Sequence, residues 1–365
     1  MLKDLTLVIF TLGRPEYLRD LLYYWSHFDS EVKILILDGS VSPLDIDELE
    51  FKKEFKTKIK FFALNNFWDR FEYASKNIET KYAVWHADDD FLLPSGLELA
   101  MKQISETRET CIFSNVRGFE LNYLQDEHSI ESWRKKYELN SNSPLERAYK
   151  FAGNRANRYF YAIWPTELFS KALKVNAIAS RTLQTEKLIF GDIGFELAGC
   201  LLAKLQIANS NFYLKRVGLE SQPTTTDMPT LNKFINSPES NNDFKKWIHT
   251  FAIEINNDLQ LDFDFLLAEL ENIFFILTSK EIEQDIRFKS SYSYKLSKFY
   301  LSNKENFLFK YFLLLPKFFY RSILEPRRGV SKKLWPNALR KENSEELTLI
   351  YNYMKGQINY SKKVK

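Results

Sequence analysis

Three consecutive carboxylates, Asp88-Asp89-Asp90, follow the apolar run from Tyr82 to His86 and precede Phe91-Leu92-Leu93-Pro94. Like charges a few Å apart repel, so the triplet calls for a cation. In an extended strand, residues i and i+2 share a face, so the spacing predicts that Asp88 and Asp90 converge while Asp89 points elsewhere. Hard carboxylate oxygens suit Mg²⁺ or Mn²⁺, ions that usually share their coordination with substrate phosphates. The chemistry this permits is Lewis-acid stabilisation of a departing diphosphate. The competing structural reading is a surface acidic turn or a charge cluster at a helix N-terminus. His86 belongs on the same side as Asp88 and reads first as a hydrogen-bonded structural histidine, with metal or phosphate contact as the alternative. His27, His128 and His249 form no metal-ligand spacing with it.

The surrounding sequence supplies the elements to hold such a site. LTLVIF (5–10), VKILILD (32–38), IKFFAL (59–64) and KYAVWHADDD (81–90) read as strands. Helical patterns separate them, EYLRDLLYYWSHF after the first and FEYASKNIE (71–79) after the third. Pro94 opens a helix to about Ile104 and ETCIFSNVRGFEL gives another strand. YFYAIWP (159–165) and NFYLKRVG (211–218) read as strands too, and GDIGFELAGCLLAKLQ (191–206) as a helix capped by Asp192. Alternating strands and helices predict an α/β fold, with a mostly parallel, Rossmann-type sheet flanked by helices. In such sheets ligands sit at the carboxyl ends of the strands. Three segments land there: the Thr11–Arg14 turn, Asp38-Gly39-Ser40 and the acidic triplet. From about 231 the pattern is helical, which divides the chain into residues 1–220 and a helical, basic, aromatic region, 231–365. The Pro/Thr-rich SQPTTTDMPT (221–230) is the break between them, a domain boundary or a mobile loop.

These residues resemble a known family. TLGRPEYLRDLL is similar to the T-x-N-R-P-x-x-L opening of family-2-type, GT-A glycosyltransferases, with Gly13 in place of the usual Asn. LDGS resembles their second-strand nucleotide-contacting Asp, and WHADDDFLLPSGL their D-x-D segment and the helix after it. ADDDFLLP, YAIWPTELF and ELAGCLLAKLQ with the later YLKR resemble a bacterial subgroup, and the likeness spans roughly 1–220. The resemblance implies a GT-A-like fold and transfer of a sugar from a nucleotide-sugar donor. Thr11 and Arg14 would lie near the nucleotide, Asp38 on its base or ribose, and Asp88 and Asp90 on the Mn²⁺ or Mg²⁺ ion and the diphosphate. Asn65 and Arg70 are further donors that would face the nucleotide, with ordinary loop chemistry as the alternative.

An inverting transferase needs a carboxylate to take the acceptor's hydroxyl proton. Asp192 and Glu196, at i and i+4, share one helix face and both qualify. The family's habit of placing the base at a helix start favours Asp192, the subgroup pattern around ELAG favours Glu196, and a capping role is the structural alternative for Asp192. Arg155, Arg158, Lys215 and Arg216 are candidate cations for an anionic donor or acceptor, or solvated charges.

Composition narrows the setting. In 365 residues, 45% hydrophobic and 27% charged is a globular balance, and the 31 Phe and 19 Tyr supply ample core. Cys111 and Cys200 offer no disulfide framework, which points to a reducing compartment. The N-terminal apolar run is too short and too acidic at Asp4 for a signal peptide, and no stretch reaches the roughly 18 apolar residues of a membrane span. From Arg287 to Lys365 there are 18 Lys/Arg against 5 Glu and no Asp, a net of +13 that leaves −10 on the rest. Within that tail, NFLFKYFLLLPKFFYRSILEPRRGVSKKLWP (306–336) reads as a membrane-interface segment or as the core of a helical domain.

The sequence has no P-loop, G-x-G-x-x-G or G-x-S-x-G motif. The expectation is therefore a cytoplasmic, metal-dependent glycosyltransferase, peripheral on the inner face of the cell membrane. It would act on a surface polysaccharide, lipopolysaccharide or glycolipid acceptor, with no nucleic acid as partner. The alternatives are a nucleotidyl- or phosphoribosyl-transferring enzyme, and a non-catalytic membrane- or nucleic-acid-binding module built on the tail.

Overall fold

The structure is a computed structural model. It describes residues 1–28, 30–104, 109–114, 117–122, 127–132, 138–154, 159–183, 188–216, 231–290, 345–347 and 349–350. The first half alternates as expected: β1 (Leu5–Thr11), α1 (Pro15–Ser26), β2 (Lys33–Asp38), α2 (Lys53–Lys56), β3 (Ile59–Ala63), α3 (Phe67–Asn77) and β4 (Tyr82–Ala87). Next come β5 (Phe91–Leu92), α4 (Pro94–Ile104), β6 (Thr110–Phe113), β7 (Arg117–Asn122), β8 (Glu127–Ser132) and α5 (Pro144–Asn154). A single 3₁₀ turn, Tyr159–Tyr161, leads into β9 (Ala162–Pro165), α6 (Thr166–Ser180), α7 (Leu188–Leu202), β10 (Lys204–Ile207) and β11 (Tyr213–Arg216). The helical region holds α8 (Leu231–Asn236), α9 (Pro238–Leu259) and α10 (Phe263–Ser290).

Seven strands form one sheet in the order β10-β6-β9-β4-β1-β2-β3. β1 is parallel to both β2 and β4, and β2 to β3. β9 runs antiparallel between β4 and β6. The expected α/β architecture, a mostly parallel sheet with flanking helices and a helical C-terminal region, is the one observed. Every residue of β1 is buried, as a central parallel strand covered on both faces requires. The two faces are visible in β4. Trp85 packs against Phe10, Phe71 of α3 and Phe195 of α7, whereas His86 turns the other way, to Trp25 of α1.

Several boundaries differ from the sequence reading. ETCIFSNVRGFEL is not one strand but two, β6 and β7, which belong to different sheets. YFYAIWP is a 3₁₀ turn followed by the four-residue β9 rather than one strand. α7 begins at Leu188 and ends at Leu202, and the last residues of the predicted helix become β10, paired with β6. NFYLKRVG supplies β11, which joins a separate sheet of order β5-β11-β7-β8. The break at 221–230 and the 306–336 segment lie outside the described residues.

The C-terminal helices pack onto the sheet's helical layer, α9 on α6 and α7, and α10 on α5. Trp247 of α9 is buried and donates its indole N–H to Ser180 Oγ at 3.0 Å. Farther on, Glu346 accepts from the Ser95 backbone N–H and hydroxyl, each at 2.9 Å, which caps the start of α4. Among the described residues, no helix is long and apolar enough to cross a membrane.

In the first turn of α4, a Cβ built on Gly96 would lie 2.3 Å from the Asn211 carbonyl oxygen, a backbone atom that cannot move aside cheaply. Gly96→Ala is therefore expected to cost about 1–3 kcal/mol of stability by overpacking, read from urea unfolding midpoints.

Candidate functional site

The strand order reverses between β1 and β4: β2 and β3 extend the sheet to one side of β1, and β4 opens the other. Ligand crevices in open α/β sheets form at such a switch point. Thr11 ends β1 and its hydroxyl donates to Asp88 Oδ2 at 2.7 Å, just past the end of β4. Gly13 stands at φ 65°, in the left-handed region, and its N–H donates to Ser40 Oγ at 2.7 Å, joining the first loop to the turn after β2. Glycine and asparagine are among the residues that adopt this conformation most readily, so the turn suits Gly13.

Two residues expected at the nucleotide brace these loops from beneath. Asp38 is 1% exposed and accepts from the backbone N–H of Ser40 at 2.8 Å and of Leu44 at 3.4 Å. Arg70 is 2% exposed, donates to the Thr11 carbonyl at 2.9 Å, and lies so close under Gly39 that a Cβ there would sit 2.6 Å from its Cζ. What these two offer a ligand is the loop backbone they hold in place. Asn65 is exposed in the loop before α3, and its neighbour Asn66 caps that helix.

The acidic triplet is arranged differently from the i, i+2 expectation. β4 ends at Ala87, and the three residues turn, with the Asp90 N–H directed at the Ala87 carbonyl at 3.4 Å. Strand alternation therefore stops applying at Asp88. Arg14 gathers the first two carboxylates, at 2.5 Å to Asp88 Oδ1 and 3.0 Å to Asp89 Oδ2. Asp90 instead accepts from the Tyr213 hydroxyl at 2.9 Å. The Tyr213 ring lies 4.3 Å from that of Tyr161, whose hydroxyl accepts from Lys215 Nζ at 3.1 Å.

Burial pushes Asp88 up to about 6 although Arg14 pulls it down. Burial also lowers Arg14's own value, and Asp88 and Asp89 more than offset that. Among the described residues, Arg14 and Lys215 are cations whose charge reaches these carboxylates. Among the described residues, no group of three or more His, Cys, Asp and Glu side chains is placed to hold a metal. A hard divalent ion here would rest on one or two carboxylates and complete its shell with ligand phosphate, an arrangement common for Mg²⁺. The elbow's hard carboxylate oxygens are of the donor type such an ion takes.

No protein-family model matches the sequence, and no curated protein matches it significantly. Among solved structures, the chain is similar to TarS of S. aureus, at 17% identity and a TM-score of 0.45 over 74% of this chain and 43% of that one. It is also similar to TarS 1–349 in complex with UDP-GlcNAc (18%, TM-score 0.47) and with UDP (19%, TM-score 0.44), each over 74% of this chain and 72% of that chain. The chain thus spans less than half the length of the longer TarS structure.

The two candidate bases separate cleanly. Asp192 lies inside α7, which starts at Leu188, so it is not the helix cap. Its side chain reaches solvent, yet the protein around it pushes its carboxyl up to about 6, with Lys215 pulling back. Glu196, one turn on, is 0% exposed; its two oxygens accept from the backbone N–H groups of Tyr159 at 3.1 Å and Phe160 at 2.9 Å. It closes the 3₁₀ turn and cannot touch an acceptor.

His86 has a structural role. It is fully buried, accepts from the Trp25 indole N–H at 3.3 Å, and burial lowers it to about 3. Arg155, Arg158 and the Arg216 side chain lie outside the described residues. Tyr213 and Tyr161 were not singled out by the sequence reading. The available signal was the alternation in YLKR, which places Tyr213 and Lys215 on one face of β11.

Glu196→Gln sets an amide NH₂ against one of two buried backbone donors, and is expected to lower unfolding free energy by about 1–3 kcal/mol in urea. For His86, the unfolded chain takes up a proton below 6.5 and the folded chain only near 3. Its contribution therefore weakens stability as pH falls through that window. His86→Gln should gain on the wild type by about 1 kcal/mol per pH unit between pH 6 and pH 4, measured by paired urea titrations.

Proposed function

We propose that this chain is a glycosyltransferase that moves a sugar from a nucleotide-sugar donor to a saccharide or lipid-linked saccharide acceptor. The observation that carries this reading is convergence at one switch point. Three segments far apart in sequence meet there, and Asp192 of α7, an exposed carboxylate, shares with them the charge of Lys215. The loops at Gly13 and Gly39, held by Arg70 and Asp38, would form a fixed surface against which the nucleotide lies. Arg14 sits where the diphosphate would lie, and Asp88 and Asp90 would hold Mn²⁺ or Mg²⁺, which when bound supplies Lewis-acid neutralisation of the leaving group. Asp192 takes the acceptor hydroxyl proton as the oxygen attacks the anomeric carbon, and it is competent only above about pH 6, where it is ionised. The net +13 of residues 287–365 supports a peripheral place on an anionic membrane, where lipid-linked acceptors of surface polysaccharide, lipopolysaccharide or glycolipid assembly are found.

The test is calorimetric titration with UDP, GDP, CDP and phosphoribosyl diphosphate, with and without Mn²⁺, followed by donor hydrolysis. One nucleoside diphosphate should bind, more tightly with metal. Asp88→Ala and Asp90→Ala should remove the metal dependence. Asp192→Asn should bind normally while slowing turnover about 10²-fold or more and abolishing the acid limb near pH 6. Preference for phosphoribosyl diphosphate, or full turnover in both elbow variants, would overturn the assignment.

A further inference from the structure

Lys215 links the two halves of the site. β11 pairs antiparallel with β5, Tyr213 opposite Leu92 and Leu214 opposite Phe91. Continuing that register brings Lys215 level with Asp90, two positions back along the acidic turn. Its ammonium donates to the Tyr161 hydroxyl at 3.1 Å and lies 5.6 Å from the centre of that ring. Its charge reaches Asp89 and Asp90 of the acidic turn and also Asp192 of α7. Burial works against its charge, and Tyr161, Asp90 and Asp89 more than restore it, so the group stays an ammonium at neutral pH. In a direct displacement, the anomeric carbon lies between the attacking oxygen, near the base, and the leaving oxygen, near the elbow. A cation whose charge reaches both the elbow and Asp192 is suited to meet the charge that develops on the leaving oxygen.

We infer that Lys215 is a further cation on the donor's diphosphate, acting beside Arg14 to neutralise it as it leaves, with Tyr161 and the β5–β11 register fixing its position. This rests on the transferase reading of the same site. In the step itself, the bond from the anomeric carbon to the diphosphate oxygen breaks and its electron pair stays with the diphosphate. The acceptor oxygen bonds to the anomeric carbon, and its proton passes to Asp192. Lys215 keeps its protons throughout and meets the new negative charge by charge-assisted hydrogen bonding, which a nucleoside monophosphate, lacking the outer phosphate, engages less.

The experiment compares the full-length protein with Lys215→Met, Lys215→Gln and Lys215→Arg. Each is titrated with the nucleoside diphosphate that the wild type prefers and with the matching monophosphate. Both neutral variants should lose about tenfold or more in diphosphate affinity, with monophosphate affinity within about twofold, and Lys215→Arg should recover most of the loss. Equal losses for the two nucleotides, or an unchanged ratio in a folded neutral variant, would overturn the role of Lys215 while leaving the transferase reading intact. A wild type that binds no nucleoside diphosphate would remove that reading, and this inference with it. Should Lys215→Met misfold, as judged by its circular dichroism, Lys215→Gln and Lys215→Arg decide the matter.

Discussion

A carboxylate buried between two central strands must be compensated, and the site is organised around that requirement. Asp88 lies past the end of β4, where β1 ends beside it, and water is largely excluded from both. Thr11 supplies a hydroxyl and Arg14 a guanidinium, yet burial still pushes the acid up to about 6. Removing one partner of a buried charge costs far more than the pair contributes when intact. The first loop is therefore tied to the acidic turn, and Gly13 and Gly39 then tie that loop to the turn after β2.

The same requirement divides labour between side chains and backbone. Asp38 and Arg70 carry charges that a nucleotide could use, but both spend them on the chain, on Ser40, Leu44 and Thr11. Gly39 cannot be larger because Arg70 occupies the place of its side chain. Backbone held this rigidly is a preformed surface, and a ligand need not order it on binding. The groups that remain near solvent are Arg14, Asp89 and Asp192, with Lys215 half-buried behind them.

Much of the frame was legible in the residues. β1, β2 and β4 are continuous apolar runs because both faces are covered, and α4 runs from Pro94 to Ile104 as its Pro and its periodicity indicate. The errors share a cause. LLAKLQ continues the helical pattern of α7, but pairing with β6 turns its end into β10, a tertiary effect that no local pattern carries. The i, i+2 rule failed at Asp88–Asp90 because the strand had already ended. Asp192 and Glu196 are equivalent by spacing, and only packing depth distinguishes the solvated acid from the buried one.

The 3₁₀ turn Tyr159–Tyr161 shows how the halves of the site keep their separation. Its first two amides are held by Glu196, which fixes it to the helix bearing Asp192. The Phe160 ring lies 4.4 Å from Trp85, on the strand that leads into the acidic turn. Its third residue, Tyr161, holds Lys215 and stacks near Tyr213, the partner of Asp90. Three residues thus connect the candidate base, the sheet and the acidic turn, each through a different kind of contact. The buried carboxylate of Glu196, spent on two backbone amides, thereby ties the helix that carries Asp192 to the turn that touches Trp85 and Lys215.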